Sequence, residues 1–187
     1  IQCDYGNSKK IMKKIYSNIN IIGGGLIGAC AAYSLSKLNY KITILEKNSK
    51  FNIKNHPDLR TVAISEGTKI FLNDIGLWKK IKPYAEPIKK ISVINRKLSE
   101  KIEFDNFRRL SSLGYIVKNK HLLNVLYKEL NKLNNIKILN QADVINIENK
   151  KYLMTTNLKQ CSIDSDLIVA ADGKFSYVRN IFKTPIY

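Results

Sequence analysis

Six residues, Gly23-Gly24-Gly25-Leu26-Ile27-Gly28, constrain this chain more than any other stretch. They follow an apolar run over 17–22 that carries Ile19, Ile21 and Ile22. They precede residues 26–38, where Leu26, Ile27, Cys30, Ala31, Leu35 and Leu38 recur at helical spacing. A second apolar run, 41–46, ends at Glu46, 18 residues beyond Gly28. A strand, a GxGxxG turn, a helix and a strand ending in an acid predict a βαβ unit that receives a dinucleotide. Gly23 permits a sharp turn out of the strand, and Gly25 lets the backbone approach a pyrophosphate. Gly28 lets the helix lie close to the strand, and Ala32 extends that packing by one turn. Free N–H groups and the positive end of the helix dipole suit the pyrophosphate. Gly23, Gly25, Leu26, Ile27 and Gly28 are therefore assigned to it. The Glu46 carboxylate suits ribose hydroxyls and disfavours a 2′-phosphate, and Lys47 beside it is assigned to the same site. A purely structural glycine turn is the competing reading, and the acid at this spacing argues against it. No GxxxxGK[ST] is present, which argues against a P-loop enzyme.

The bulk numbers are those of an ordinary globular chain: 187 residues, 44% hydrophobic and 25% charged. No apolar run reaches the roughly 18 residues of a membrane span. Cys3, Cys30 and Cys161 are odd in number and far apart, so neither a disulfide framework nor a zinc site is expected, and a reducing compartment is. The formal charge of +17 comes from scattered lysines amid abundant Asn and Ile. It reads first as a solvated basic surface, with an anionic membrane and then nucleic acid as the alternatives. Residue 1 is Ile and the first methionine is Met12, so residues 1–11 are expected to be a leader or read-through. The segment from Met12 faintly resembles a signal peptide, but Asn18, Asn20 and three glycines fit a strand and turn better.

Further along, 47–57 reads as polar loop and 65–75 as a helix stopped by Gly76. Pro83 and Pro87 break the chain. Residues 88–94 and 101–104 read as a strand pair, and 120–133 as a helix with a leucine face. Short strands are expected over 136–139, 144–147, 152–156 and 160–163. A last buried strand over 166–170 runs into Ala171-Asp172-Gly173. His56 and His121 have no nucleophile partner pattern, Cys30 reads as helix packing, and Trp78 reads as core.

Three stretches carry a family resemblance. DLIVAADGKFSYVR (166–179) resembles the Asp-Gly motif of FAD-dependent aromatic hydroxylases of the p-hydroxybenzoate hydroxylase type. DLRTVAISEGTKIFLNDIGLW (58–78) and LGYIVKNKHLLNVLYKEL (113–130) are similar to the ubiquinone-biosynthesis branch of that family. With 17–46 they cover most of the chain in the right order. Ala170-Ala171 stands where many relatives have Gly-Ala.

The resemblance implies an α/β fold: a Rossmann-like FAD-binding domain with a parallel sheet and an antiparallel β crossover, plus the start of an inserted β substrate domain. It implies that 12–187 form an incomplete FAD-binding domain, with about 80–112 opening the substrate domain. A second Gly-Asp motif would lie beyond Tyr187, so the segment alone is expected to be inactive. Arg60 is assigned to the FAD pyrophosphate, as guanidinium chemistry allows, with a surface ion pair as the rival. Asp172 and Gly173 are assigned between flavin and pyridine nucleotide, with Ser176 and Arg179 completing the motif. Asn119 is placed near the adenosine, with helix capping as an equal contender, and Val144 joins the cofactor set. No side chain here is assigned as a catalytic acid or base.

The implied activity is hydroxylation of an aromatic ring, with NAD(P)H as reductant, O2 as oxidant and FAD as cofactor. The implied substrate is a polyprenylated phenol on the way to ubiquinone. The expected setting is cytoplasmic, with peripheral contact to the inner face of the membrane, a biosynthetic complex as a further partner, and no nucleic acid. The rivals are another flavoenzyme on this fold, such as a prenyl reductase or halogenase, and a non-enzymatic dinucleotide-binding module.

Overall fold

The computed structural model describes residues 13–49, 58–95, 100–105 and 112–185. The expected leader, Cys3, His56 and Pro57 lie outside the described residues. In chain order the elements are β1 (Lys13–Ile22), α1 (Leu26–Ser36), β2 (Ile42–Glu46), β3 (Thr61–Ile64), α2 (Glu66–Asp74) and α3 (Trp78–Ile81). A single 3-10 turn, Lys82–Tyr84, leads into β4 (Ala85–Pro87), β5 (Ile91–Asn95), β6 (Glu100–Phe104), β7 (Tyr115–Lys118) and α4 (Asn119–Leu130). The chain continues through β8 (Ile136–Asn140), β9 (Val144–Asn149), β10 (Met154–Leu158), β11 (Cys161–Ala170) and α5 (Tyr177–Ile181).

The main sheet has the order β8-β2-β1-β11-β10-β9. Its first four strands are mutually parallel, and β9, β10 and β11 form an antiparallel meander. Parallel strands covered on both faces read as near-continuous apolar runs, and β1 and β2 do so at their C-terminal ends. Ile21 and Ile44 are fully buried there. Burying such a side chain contributes about 1.5–3 kcal/mol. One face packs against α1 and α4, in a core that holds Ala29, Ala32, Leu122, Leu126 and Leu130. On the other face, Ile22 and Leu45 cluster with Ile147 and Leu158 of the meander and Val178 of α5. The meander therefore covers the face that the helices leave open.

The βαβ unit, the α2 helix and the leucine-faced α4 lie where the pattern predicts. Ser65 caps α2 by accepting from the Thr68 N–H at 3.2 Å, and Gly76 ends the turn with φ +78°. The two strands expected over 160–163 and 166–170 are one strand, β11. The polar residues that suggested a break are paired inside the sheet: Thr155 donates to Asp164 at 2.8 Å, and Lys14 reaches Asp164 at 2.7 Å. β1 starts at Lys13, four residues before the apolar run, because Lys13–Tyr16 extend the ladder along β11. A small antiparallel sheet, β3-β7-β4, has no counterpart in the pattern reading. The β5–β6 hairpin is exposed on every residue of both strands. Trp78 is core, packed edge-on to Tyr115 at 4.8 Å. Cys30 is half-buried against the helix-side core, and burial pushes its thiol pKa up. His121 stacks on Tyr84 at 4.6 Å.

Candidate dinucleotide site

β1 delivers the chain into the turn with Gly23 at φ +106°, a backbone shape that L side chains rarely adopt. The Gly23 N–H donates to the Leu45 carbonyl at 2.8 Å, and the Ala171 N–H donates to the Ile22 carbonyl at 2.8 Å. The glycine turn is thus tied at once to the ends of β2 and β11. A Cβ on Gly28 would collide with the carbonyl oxygen of Gly23, so close packing of α1 on the turn requires glycine there. At Gly25 no atom lies within 4 Å of the space a side chain would take, so the backbone faces open volume. No side chain caps the start of α1, and its first turn carries no acid. Its leading N–H groups and dipole remain available to an anion. The Leu26 side chain packs on the core, while that of Ile27 is exposed.

Gly24, the unassigned middle residue of the turn, is held on two sides. Its N–H donates to Glu46 Oε2 at 2.8 Å, and its carbonyl accepts from the Tyr127 hydroxyl at 2.7 Å. Glu46 Oε1 accepts from the backbone N–H and the side-chain amide of Asn48, both at 2.8 Å. Three donors therefore orient one carboxylate, and a carboxylate has acceptor capacity left for a ribose.

A cavity of about 530 Å³ opens over these groups, within the range of small-molecule sites. Gly23, Gly25, Glu46, Lys47, Val144, Asp172 and Gly173 of the assigned residues line it, joined by Asn48, Asp143 and Tyr177. Asp172 Oδ2 accepts from the N–H groups of Tyr177 at 2.7 Å and Val178 at 3.2 Å, at the start of α5. Asp172 Oδ1 is buried with no hydrogen-bond partner. Buried polar oxygens are normally satisfied, so this one is suited to a donor from a bound molecule. Gly173 turns with φ +86°. Ser176 Oγ accepts from the Arg179 N–H at 3.0 Å, and the Arg179 guanidinium braces the Lys174 carbonyl at 2.6 Å.

Arg60 and Asn119 are not among the residues lining this cavity. Arg60 makes a bidentate pair with Asp58, Nε to Oδ1 and Nη2 to Oδ2, both at 2.8 Å, while its side chain is 80% exposed. The guanidinium holds the Asp58 carboxyl well below the usual range. Asn119 does not cap α4, because Lys118 holds the cap position. Its side chain donates to Asp58 Oδ2 at 3.2 Å, and its N–H donates to the Arg60 carbonyl at 2.9 Å. The two assigned residues thus form one cluster with Asp58, joined across β3 and β7.

An open glycine turn at an uncapped helix, an oriented acid at the end of the second strand and an Asp-Gly turn at the end of a parallel neighbour define a dinucleotide-binding domain of the α/β class. The donors and the open volume fit the ADP portion of such a cofactor. Residues 16–186 match the model of the FAD binding domain family, and the chain belongs to that family. It is similar to ubiquinone hydroxylase UbiM of Neisseria meningitidis, with 25% identity over 91% of this chain and 39% of the relative. It is also similar to 3-demethoxyubiquinol 3-hydroxylase of Escherichia coli, with 26% identity over 88% of this chain and 43% of the relative. The structure matches that of p-nitrophenol 4-monooxygenase from Pseudomonas putida with a TM-score of 0.77 at 23% identity, over 91% of this chain and 44% of that one. The chain thus spans about two fifths of the length of the curated relatives it matches.

Glu46→Gln is expected to damage the site out of proportion to its size. A carboxamide offers one acceptor and one donor, so either orientation sets its NH2 against the Gly24 N–H or against Asn48. The expected result is a loss of about tenfold to a hundredfold in ADP affinity, consistent with losing a charge-assisted hydrogen bond of about 1.5–3 kcal/mol. Calorimetric titration checks it.

Proposed function

We propose that this chain supplies the ADP-binding part of an FAD-dependent aromatic-ring hydroxylase acting on a polyprenylated phenol in ubiquinone biosynthesis. The observation that carries this reading is the convergence of the glycine turn, Glu46 and Asp172-Gly173 on one cavity. The similarity to ubiquinone hydroxylases supports the choice of substrate class. When bound, FAD supplies the redox and oxygen chemistry, with NAD(P)H as the reductant. This chain's own residues bind and orient. The first turn of α1 receives the pyrophosphate, Glu46 receives the adenosine ribose, and Lys47 and Val144 flank it. Asp172 offers Oδ1 to a hydroxyl donor, while Oδ2 stays on α5. Arg60, held by Asp58 and Asn119, is assigned to the pyrophosphate.

Residues of about 80–112 begin the substrate domain in this reading. In the hairpin, Ile91, Val93, Ile102 and Phe104 share one exposed face, as a sheet awaiting further packing would. Among the described residues no helix is long and apolar enough to cross a membrane. The charge of +17 suits peripheral docking to anionic lipid on the cytoplasmic side of a membrane that would hold such a lipid-like substrate.

The test uses the full-length protein with FAD, NAD(P)H, O2 and a prenylated phenol. The expected outcome is substrate-stimulated NAD(P)H oxidation with one oxygen atom from 18O2 in the product. A reduced or halogenated product without that label would transfer the chain to another flavoenzyme class. Retention of NAD without FAD binding would make it a nucleotide-binding module.

A further inference from the structure

Tyr127 lies 103 positions from Gly24, on α4, and is buried in the helix-side core. Its hydroxyl donates to the Gly24 carbonyl at 2.7 Å. The Gly24 N–H is taken by Glu46 Oε2 at 2.8 Å. Both backbone polar groups of Gly24 are therefore committed inside the protein. A Cβ on Gly24 would collide with the Tyr127 hydroxyl oxygen and stand 2.8 Å from Glu46 Oε2, so the three groups meet at one point. The peptide between Gly24 and Gly25 is planar and trans. The Gly24 carbonyl and the Gly25 N–H therefore lie in one rigid plane and point in opposite directions within it. Fixing the carbonyl fixes the N–H, and Gly25 lines the cavity.

Packing alone does not call for a hydroxyl at this position. Leu122, Leu126 and Leu130 of the same helix fill the core without one. A hydroxyl in such a place is costly unless it is bonded, and here the bond goes to the turn. Burial, and then the charge of Glu46, push the Tyr127 pKa up to about 12, so it remains a hydrogen-bond donor at neutral pH.

We propose that Tyr127 is a positioning residue for the dinucleotide. Its hydroxyl sets the Gly24–Gly25 peptide and, through it, the Gly25 N–H that meets the ADP portion. This inference rests on reading the cavity as the ADP site.

The experiment compares Tyr127→Phe with the unaltered sequence in the flavin-free full-length protein, using ADP as the probe. Affinity is read by NMR titration on the folded population, with the amide signals of residues 23–28 as reporters. The expected result is an ADP affinity lowered about fivefold to tenfold, the equivalent of one hydrogen bond. The Gly24 and Gly25 amides shift in the variant even without ligand. Equal ADP affinity in the two proteins overturns the role of Tyr127, whether or not the variant melts earlier. Failure of the unaltered protein to bind ADP overturns the site itself.

Discussion

Gly28→Ala is expected to lower the thermal midpoint by about 5–10 °C and to weaken ADP binding at least about tenfold. The added methyl meets a backbone carbonyl, that of Gly23, and stands 3.3 Å from the Ala171 side chain. Neither neighbour can rotate away. Gly23 is tied to Leu45, and Ala171 to Ile22, by backbone hydrogen bonds of 2.8 Å. Relief must come from α1 lifting off the sheet, which opens the core around Ala29 and Ala32, both fully buried. Overpacking of this kind costs about 1–3 kcal/mol. The same displacement carries the start of α1 away from the cavity, so stability and binding fall together. A melting curve and an ADP titration on the one variant check both. Gly25→Ala is the matched control: its methyl enters open space, so the melting point stays and only ligand binding suffers.

Asp172 gives the second large effect, and two substitutions separate its two oxygens. Asp172→Ala removes the acceptor for the Tyr177 and Val178 N–H groups and leaves the start of α5 with only Ser176. Loss of such a cap costs about 0.5–2 kcal/mol, and α5 holds Val178 in the core beneath the cavity. Both stability and FAD affinity are expected to fall. Asp172→Asn can keep its carbonyl oxygen on the helix and turn its NH2 towards the position of Oδ1. The thermal midpoint then stays close to that of the unaltered protein. A donor now faces the bound molecule where an acceptor stood, and FAD affinity falls by about tenfold or more. If Asp172→Asn binds FAD normally, Asp172 is a helix cap and no more. Thermal melts with flavin-fluorescence titrations of the two variants read this out.

The βαβ unit was legible because its information is local. Three glycines, an apolar strand on each side and Glu46 at a fixed distance fall within thirty residues (17–46). Gly24 was not legible, since GxGxxG leaves its middle position open. Its constraint comes from Glu46, 22 positions away, and Tyr127, 103 positions away. Tyr127 itself sits in a helix whose leucine stripe marks the core, and nothing in that spacing distinguishes a ring that packs from a hydroxyl that pins a turn. The β3-β7-β4 sheet is not legible in the sequence for a related reason. Its strands span only three or four residues, and Thr61 finds its partner at Lys118. β11 reads as two strands because Asp164 looks like a turn residue in the sequence, whereas Lys14 and Thr155 satisfy it within the sheet. The Asp-Gly turn lay in a segment chosen by resemblance. Its pairing with α5 and its buried free oxygen arise only from the folded arrangement.

The glycine turn, Glu46 and Asp172 are expected to hold one and the same FAD molecule. A crystal structure of the full-length protein grown with FAD tests it directly. The pyrophosphate is expected at the first turn of α1, with the Gly25 N–H within hydrogen-bond reach. An adenosine ribose hydroxyl is expected on Glu46 and a donor from the cofactor on Asp172 Oδ1. FAD bound elsewhere, with this cavity left to solvent and the Glu46 carboxylate bonded only to Gly24 and Asn48, would contradict it.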